Sequence, residues 1–294
     1  MKRLLFIYNP KAGKAQIRSN LLDIIDIFVK AGYEVTAYPT QSKGDATRAV
    51  LARSTDYELI ACCGGDGTLD EVVTGMMQSK QRLPIGYIPA GSTNDFARSL
   101  HIPKHMKNAA DVVMRGKLFA CDIGSFNSDS FVYIAAFGLF TDVSYETRQE
   151  MKNVLGHMAY IAEGLKRLSM IKSYQIRAKH EELVIEGDFI FGMVTNSISV
   201  GGFKGITGKN ITLDDGLFEV TLIRKPENPL ELNMIVAALL DRNIDSQYMY
   251  CFKTQSLVIE SEEEIPWTLD GEYGGSHTRA EIRNEKQALQ IYVP

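Results

Sequence analysis

Between Gly64 and Glu71 the sequence Gly64-Gly65-Asp66-Gly67-Thr68-Leu69-Asp70-Glu71 sets three acids among three glycines. The glycines let backbone N–H groups approach a ligand, Thr68 offers a hydroxyl, and a turn that opens a helix favours an anion such as phosphate. Asp66 would repel a bare phosphate. Its presence points to a divalent cation, a water on one, or a sugar hydroxyl, and so to a metal-nucleotide. The same residues fit a tight strand-to-helix turn with Asp66 as N-cap, and this motif alone leaves both readings open. Two more turns carry comparable groups. Asn9-Pro10-Lys11-Ala12-Gly13-Lys14 follows an apolar run but has no glycine five residues before Gly13-Lys14, so it is not a P-loop. Pro89-Ala90-Gly91-Ser92-Thr93-Asn94-Asp95 supplies small hydrogen-bonding side chains and another acid.

Each of these turns needs a strand before it and a helix after it. Leu59-Ile60-Ala61-Cys62-Cys63 is apolar without alternation, as a strand covered on both faces requires, and Val72, Val73 and Met76 then recur at helical spacing. Leu4 to Tyr8, Tyr33 to Tyr38 and Ile85 to Ile88 read as three further strands. A helix with Leu21, Leu22, Ile25 and Phe28 on one face and another from Gly44 to Ala52 lie between them. Repeated βα units with short connections predict a doubly wound, mostly parallel sheet, whose ligands bind beyond the carboxyl ends of the strands, where the turns would gather.

After Cys121-Asp122-Ile123-Gly124 the pattern changes to short β-rich segments: Phe131 to Ala136, Tyr174 to Lys179, Phe189 to Thr195, Phe218 to Ile223, Met249 to Phe252, Leu257 to Ile259, Ala280 to Arg283 and Leu289 to Val293. They predict a β-sandwich-like second domain. Two helices interrupt it, Leu230 to Leu240 and a basic amphipathic stretch from Val154 to Ile171 that could lie on anionic lipid or pack on the sheet. The expected division is residues 1–124 and 125–294, with the C-terminal segment able to return to the first domain; a chain of 294 residues is long enough for two cores.

A net charge of −4 gives no support for nucleic-acid binding. Cys62, Cys63, Cys121 and Cys251 lack ligand spacing and read as small buried hydrophobes. Met1-Lys2-Arg3 leads straight into a strand, and no apolar run approaches the ~20 residues of a spanning helix, so a cytoplasmic protein is expected.

Read in order, Asn9 to Gly13, Gly64 to Glu71, Pro89 to Ala97, Asp214-Asp215-Gly216-Leu217-Phe218 and Asp270-Gly271-Glu272 resemble the motifs of the diacylglycerol kinase catalytic-domain family, in particular its bacterial soluble lipid kinases. The resemblance runs through nearly the whole chain. It implies a Rossmann-like α/β domain of the NAD kinase and diacylglycerol kinase type, followed by a β-sandwich-like, lipid-binding domain. The implied activity is transfer of the γ-phosphate of Mg-ATP to a glycerolipid hydroxyl, with diacylglycerol leading only through the family.

The residues matching ATP-holding positions are Asn9, Pro10, Lys11, Ala12, Gly13, Thr40, Gly65, Asp66, Gly67, Thr68, Leu69, Asp70, Glu71 and Thr93. Asp66, Asp95 and Asp122 match acids of a water-linked network around the catalytic Mg²⁺. Thr212, Asp215 and Leu217 match a structural Mg²⁺ site, where an Asp-Asp-Gly hairpin turn is the alternative reading. Glu272 matches the proposed general base, a role for which Asp66 competes; otherwise Glu272 is a surface acid after a turn. Ala12 stands where relatives often carry Ser or Thr, Ser92 where Thr or Gly is frequent, and Asp70 where asparagine is common. The expected partner is lipid at the inner face of the membrane, met peripherally and transiently; strand edges would permit a homodimer. NAD kinase and a non-catalytic nucleotide sensor are the competing functions.

Overall fold

The structure is a computed structural model that describes residues 2–13, 15–139, 172–197, 199–200, 203–204, 211–240 and 248–294. The amphipathic stretch from Val154 to Ile171 lies outside the described residues. The first four strands, β1 (Lys2–Tyr8), β2 (Tyr33–Pro39), β3 (Leu59–Gly64) and β4 (Ile85–Pro89), are parallel and lie in the order β4-β3-β1-β2. β3 and β4 are buried at every position. That explains their unbroken apolar sequence, because α1 (Ile17–Lys30), α2 (Asp45–Arg53), α3 (Asp66–Gln78), α4 (Asp95–Ser99) and α5 (Met106–Arg115) alternate with and follow these strands. The pairing aligns Tyr8 with Cys63 and Pro39, and Gly64 with Pro89, so these strands end level with one another.

The helical face of α1 differs from expectation. Ile17, Ile24 and Phe28 face the core, Leu21 and Ile25 are half-buried, and Leu22 is 81% exposed. Leu21 and Leu22 are adjacent, hence about 100° apart around the helix, so both could not face one core.

From β5 (Lys117–Phe126) onward the pairing is antiparallel: β6 (Asp129–Phe131), β7 (Ile134–Gly138), β8 (Tyr174–His180), β9 (Leu183–Thr195), the short pair β10 (Ser199–Val200) and β11 (Phe203–Lys204), β12 (Phe218–Arg224), β13 (Met249–Thr254), β14 (Ser256–Leu269) and β15 (Glu272–Val293). One helix, α6 (Pro229–Leu240), joins β12 to β13. The expected strand from Phe131 to Ala136 is two strands, because Val132 and Tyr133 break away to meet a carboxylate described below. β7 and β8 each pair with both β9 and β14, closing a ring of four strands in which the long β9 and β14 serve both neighbours. Trp267 fills its core between Phe126 and Phe137, each ring centroid 4.9 Å away.

The segments Ala280 to Arg283 and Leu289 to Val293 are one strand, β15, which pairs with β14 from Glu272 to Arg283 and with β5 from Ile282 to Val293. It touches β4 in parallel at Ile291–Ile85 and thereby fuses the two sheet systems. Two main hydrophobic clusters result. One is built on β1–β4 and their helices and includes Leu289 and Ile291 of β15; the other fills the antiparallel half around Trp267. Cys62, Cys63 and Cys121 are buried as expected, but Cys251 is exposed, since it points outward from β13 at the end of the sheet. Among the described residues no helix is long and apolar enough to cross a membrane.

Candidate functional site

Three turns meet at the level ends of the parallel strands. The Asn9 N–H donates to the Cys63 carbonyl (2.9 Å), the Thr40 N–H to Tyr8 (2.9 Å) and the Ala90 N–H to Gly64 (2.7 Å), so each turn is pinned to the neighbouring strand end. Their backbones then touch. A Cβ on Gly91 would lie 2.7 Å from the Gly65 Cα, and one on Gly13, whose φ is +55°, would lie 2.3 Å from the Ala90 carbonyl oxygen. Only glycine permits that approach. Asn9 donates through Nδ2 to Thr68 Oγ1 (3.5 Å), while its Oδ1 accepts from the Lys11 N–H (2.9 Å), closing the first turn. Asn94, in the left-handed region at φ +50°, holds the third turn by accepting from the Gly91 N–H and donating to the Gly91 carbonyl.

Asp66 is the first residue of α3 and Gly65 its N-cap, so the acid does not cap its own helix. Its Oδ2 accepts from the Thr93 hydroxyl (3.1 Å), while Oδ1 is buried without a protein partner. Burial, and next the nearby Asp95, raise its carboxyl above the ordinary carboxylate range, against the Thr93 hydroxyl and the N–H groups of Asp95 and Phe96. Asp95 therefore lies close enough for its charge to act on Asp66. An orphaned carboxylate oxygen beside a second carboxylate suits a hard cation, and Mg²⁺ usually needs only one or two carboxylates when phosphate oxygens complete its shell. Among the described residues no three His, Cys, Asp or Glu side chains converge as a metal cage.

Asp122 is placed otherwise. It is fully buried in the middle of β5, where Oδ2 accepts from the Gly216 N–H (2.6 Å) and Asn284 Nδ2 (3.2 Å) and Oδ1 from the Gln287 N–H (2.7 Å). These bonds tie it to the Asp214–Gly216 turn and to β15. Asp215 itself accepts from the Leu217 N–H (3.0 Å) and lies 3.6 Å from the Lys253 ammonium, which also pairs with Glu219 at 2.9 Å. Positive charge is thus already supplied beside Asp215, and the donor set fits a divalent cation poorly. Thr212 is exposed in the same segment.

The acids that follow the glycine turn look away from it. Leu69 is 1% exposed and belongs to the core. Glu71 accepts from the N–H groups of Gly44 (2.7 Å) and Ala46 (3.0 Å), capping α2 from a neighbouring helix and fixing the loop that begins at Thr40. Burial, and next the charge of Asp270, hold the Asp70 carboxyl well above the ordinary carboxylate range. Asp270 and Gly271, at φ +50° and +84°, form the two-residue turn between β14 and β15, and Glu272 follows. Glu272 lies against the glycine turn: a Cβ on Gly67 would be 3.7 Å from its Oε1, and its Oε2 accepts from Lys43 Nζ at 3.1 Å. Lys43 carried no signal in the sequence, since it belongs to no spacing that chemistry demands, and Asp270 entered only as the first residue of the Asp270-Gly271-Glu272 motif.

A model of the diacylglycerol kinase catalytic domain matches residues 3–126. Over its full length the chain is 37% identical to a diacylglycerol kinase of Staphylococcus carnosus (strain TM300), covering 95% of it, and 34% identical to a diacylglycerol kinase of Bacillus subtilis (strain 168), covering 97%. In fold it is similar to the crystal structure of a diacylglycerol kinase from Bacillus anthracis str. Sterne, with a TM-score of 0.78 at 24% identity over 100% of this chain and 97% of that one.

Proposed function

Because the chain belongs to the diacylglycerol kinase family, we propose that it transfers the γ-phosphate of ATP to the hydroxyl of a glycerolipid, converting diacylglycerol to phosphatidic acid. The observation that carries the reading is Glu272 Oε1 beside Gly67, which sets a proton acceptor from the antiparallel half against the glycine turn of the parallel half.

In this reading the backbone N–H groups of the turns at residues 9–13, 64–68 and 90–93 hold the phosphates, and Thr40, Thr68 and Thr93 line the same edge. The lipid hydroxyl oxygen attacks the γ-phosphorus as the bond to the bridging oxygen of ADP breaks, and its proton passes to a carboxylate oxygen of Glu272. A base so placed contributes about 10²–10⁴ in rate; positioning and charge stabilisation supply most of the rest. Asp66 and Asp95 would hold Mg²⁺, which supplies neutralisation of the phosphate oxygens. Asp66 fits that role better than the role of base, since Thr93 occupies one of its oxygens and Asp95 crowds it. Asp122 positions β5 and β15, and no step is assigned to Asp215.

The two hydrophobic clusters support a division near residue 124, with the β-sandwich-like half holding the lipid. Its substrate requires peripheral contact with a membrane surface, at the cytoplasmic face if ATP is drawn from the cell interior. A homodimer through the β13 edge is part of this proposal, supported by the position of β13 at the end of the sheet.

The test is transfer of label from γ-labelled Mg-ATP to mixed micelles of diacylglycerol, phosphatidylglycerol or a prenol, beside a reaction with NAD and beside Glu272→Gln. Labelled phosphatidic acid that falls by about 10²–10⁴ in the variant supports the reading. Label found only in NADP, or ATP binding without product, overturns it.

A further inference from the structure

Asp270 stands two residues before Glu272, in the turn that ends β14 and begins β15, with Leu269 and Glu272 paired across it. An aspartate in the left-handed region, here at φ +50°, commonly spends its carboxylate on the backbone of its own turn. This one reaches elsewhere. Its carboxylate accepts from the N–H groups of Val132, Tyr133 (2.9 Å) and Ile134 (2.9 Å), which lie 138, 137 and 136 positions away in sequence. Its own N–H donates to the Ile134 carbonyl (2.9 Å), and its carbonyl accepts from the Tyr133 hydroxyl (3.3 Å). Five hydrogen bonds therefore tie this one residue to the connection between β6 and β7. Three N–H groups converging on two oxygens call for a carboxylate, which only accepts.

The stretch that follows Glu272 holds it less firmly. Tyr273 is 55% exposed, Gly274 and Gly275 come next, and the register with β14 shifts opposite them, between Pro266 and Thr268. Gly271 faces open space, since a Cβ there would meet nothing within 4 Å. Asp270, in contrast, is 4% exposed. Glu272 thus leaves an anchored turn to reach Gly67 with Oε1, while Lys43 bonds Oε2 from the parallel half.

We infer that Asp270 is a positioning residue for Glu272: its carboxylate, bonded to three consecutive N–H groups of residues 132–134, fixes the β14–β15 turn so that Glu272 Oε1 lies beside Gly67. The inference rests on the kinase reading, because it concerns the aim of that reaction's base. Asp270 acts through the backbone of the turn and not on the nucleotide, whose proposed phosphate-holding turns belong to the parallel half. Its loss therefore reaches turnover and spares the affinity for ATP.

Asp270→Asn keeps a side chain that tolerates the left-handed backbone and one acceptor oxygen, but its amide NH2 then meets a backbone N–H, donor against donor. In the full-length protein it is expected to lower kcat by about tenfold or more, as misplacement of a reacting group does, with the KM for ATP within about twofold. The same substitution made in Glu272→Gln should lower the residual kcat less than about twofold, because the group that Asp270 aims is already gone. A merely structural role would lower kcat equally in both backgrounds. Tyr133→Phe removes only the bond to the Asp270 carbonyl; its fall in kcat should be smaller, with the same dependence on Glu272, and it decides the matter where Asp270→Asn does not fold. An unchanged kcat, or a fall equal in both backgrounds, overturns this inference and leaves the kinase reading standing. A wild type inactive on every lipid overturns both.

Discussion

Replacing Gly13 and Gly32 by alanine separates the cost of a left-handed backbone from the cost of parting two turns. Both glycines have positive φ, +55° and +89°. A Cβ at Gly32 meets nothing within 4 Å, whereas one at Gly13 meets the Ala90 carbonyl oxygen at 2.3 Å. Strain from the left-handed conformation is therefore common to both, at about 1–2 kcal/mol. The clash at Gly13 adds an overpacking term of about 1–3 kcal/mol. Gly13 is solvent-facing, so its turn can swing off the strand end to relieve the clash, and the added cost then appears in ligand binding instead of in stability. The denaturation midpoints of the two variants should fall by similar amounts. The KM for ATP should rise about 5–150-fold in Gly13→Ala, the equivalent of 1–3 kcal/mol, and stay near wild type in Gly32→Ala. Urea titration and initial-rate kinetics measure both quantities. An ATP KM in Gly13→Ala within twofold of that in Gly32→Ala would refute the claim that contact between these turns shapes the phosphate site.

Glu71→Ala leaves the Gly44 and Ala46 N–H groups without their acceptor and should cost about 1–3 kcal/mol in urea denaturation, with faster hydrogen exchange at both amides. Unchanged exchange would remove Glu71 from the support of the Thr40–Gly44 loop. Asp122→Leu strands three donors, two of them buried and worth about 1–3 kcal/mol each, so it should destabilise the protein by more than Glu71→Ala does. A midpoint shift smaller than that of Glu71→Ala, combined with lost Mg²⁺ affinity, would return Asp122 to the metal network.

The parallel half was legible because each βα unit states its elements locally: buried runs such as Leu59–Gly64 have no polar alternation, and the turns after them are dense in glycine. The antiparallel half hides its continuity. β15 runs from Glu272 to Val293, but its middle, Arg283 to Gln287, is polar because that stretch includes the shift of register between Glu285 and Leu289 and the bonds from Asn284 and Gln287 to Asp122. Two apolar segments therefore looked like separate strands. The motif spacings named Asp66, Asp95, Thr93 and Glu272, but spacing carries no information about direction. It could not show that Glu71 turns to α2, that Asp122 is consumed by β15, or that Lys43 reaches Glu272 from a residue 229 positions away. α1 failed for a simpler reason: Leu21, Leu22, Ile25 and Ile27 are apolar around more than one face, and only the packing partner selects which face goes inward.

β15 also imposes an order on synthesis. A ribosome delivers β1 to β4 with the three turns proposed to hold phosphate long before it delivers Glu272, and those early strands pair with near neighbours in sequence. The strand that bears Glu272 is also the one whose far end meets β4 and β5. A nascent chain can thus assemble the proposed nucleotide site before the proposed proton acceptor exists, and in this reading transfer begins only when the same strand that joins the two sheet systems has docked.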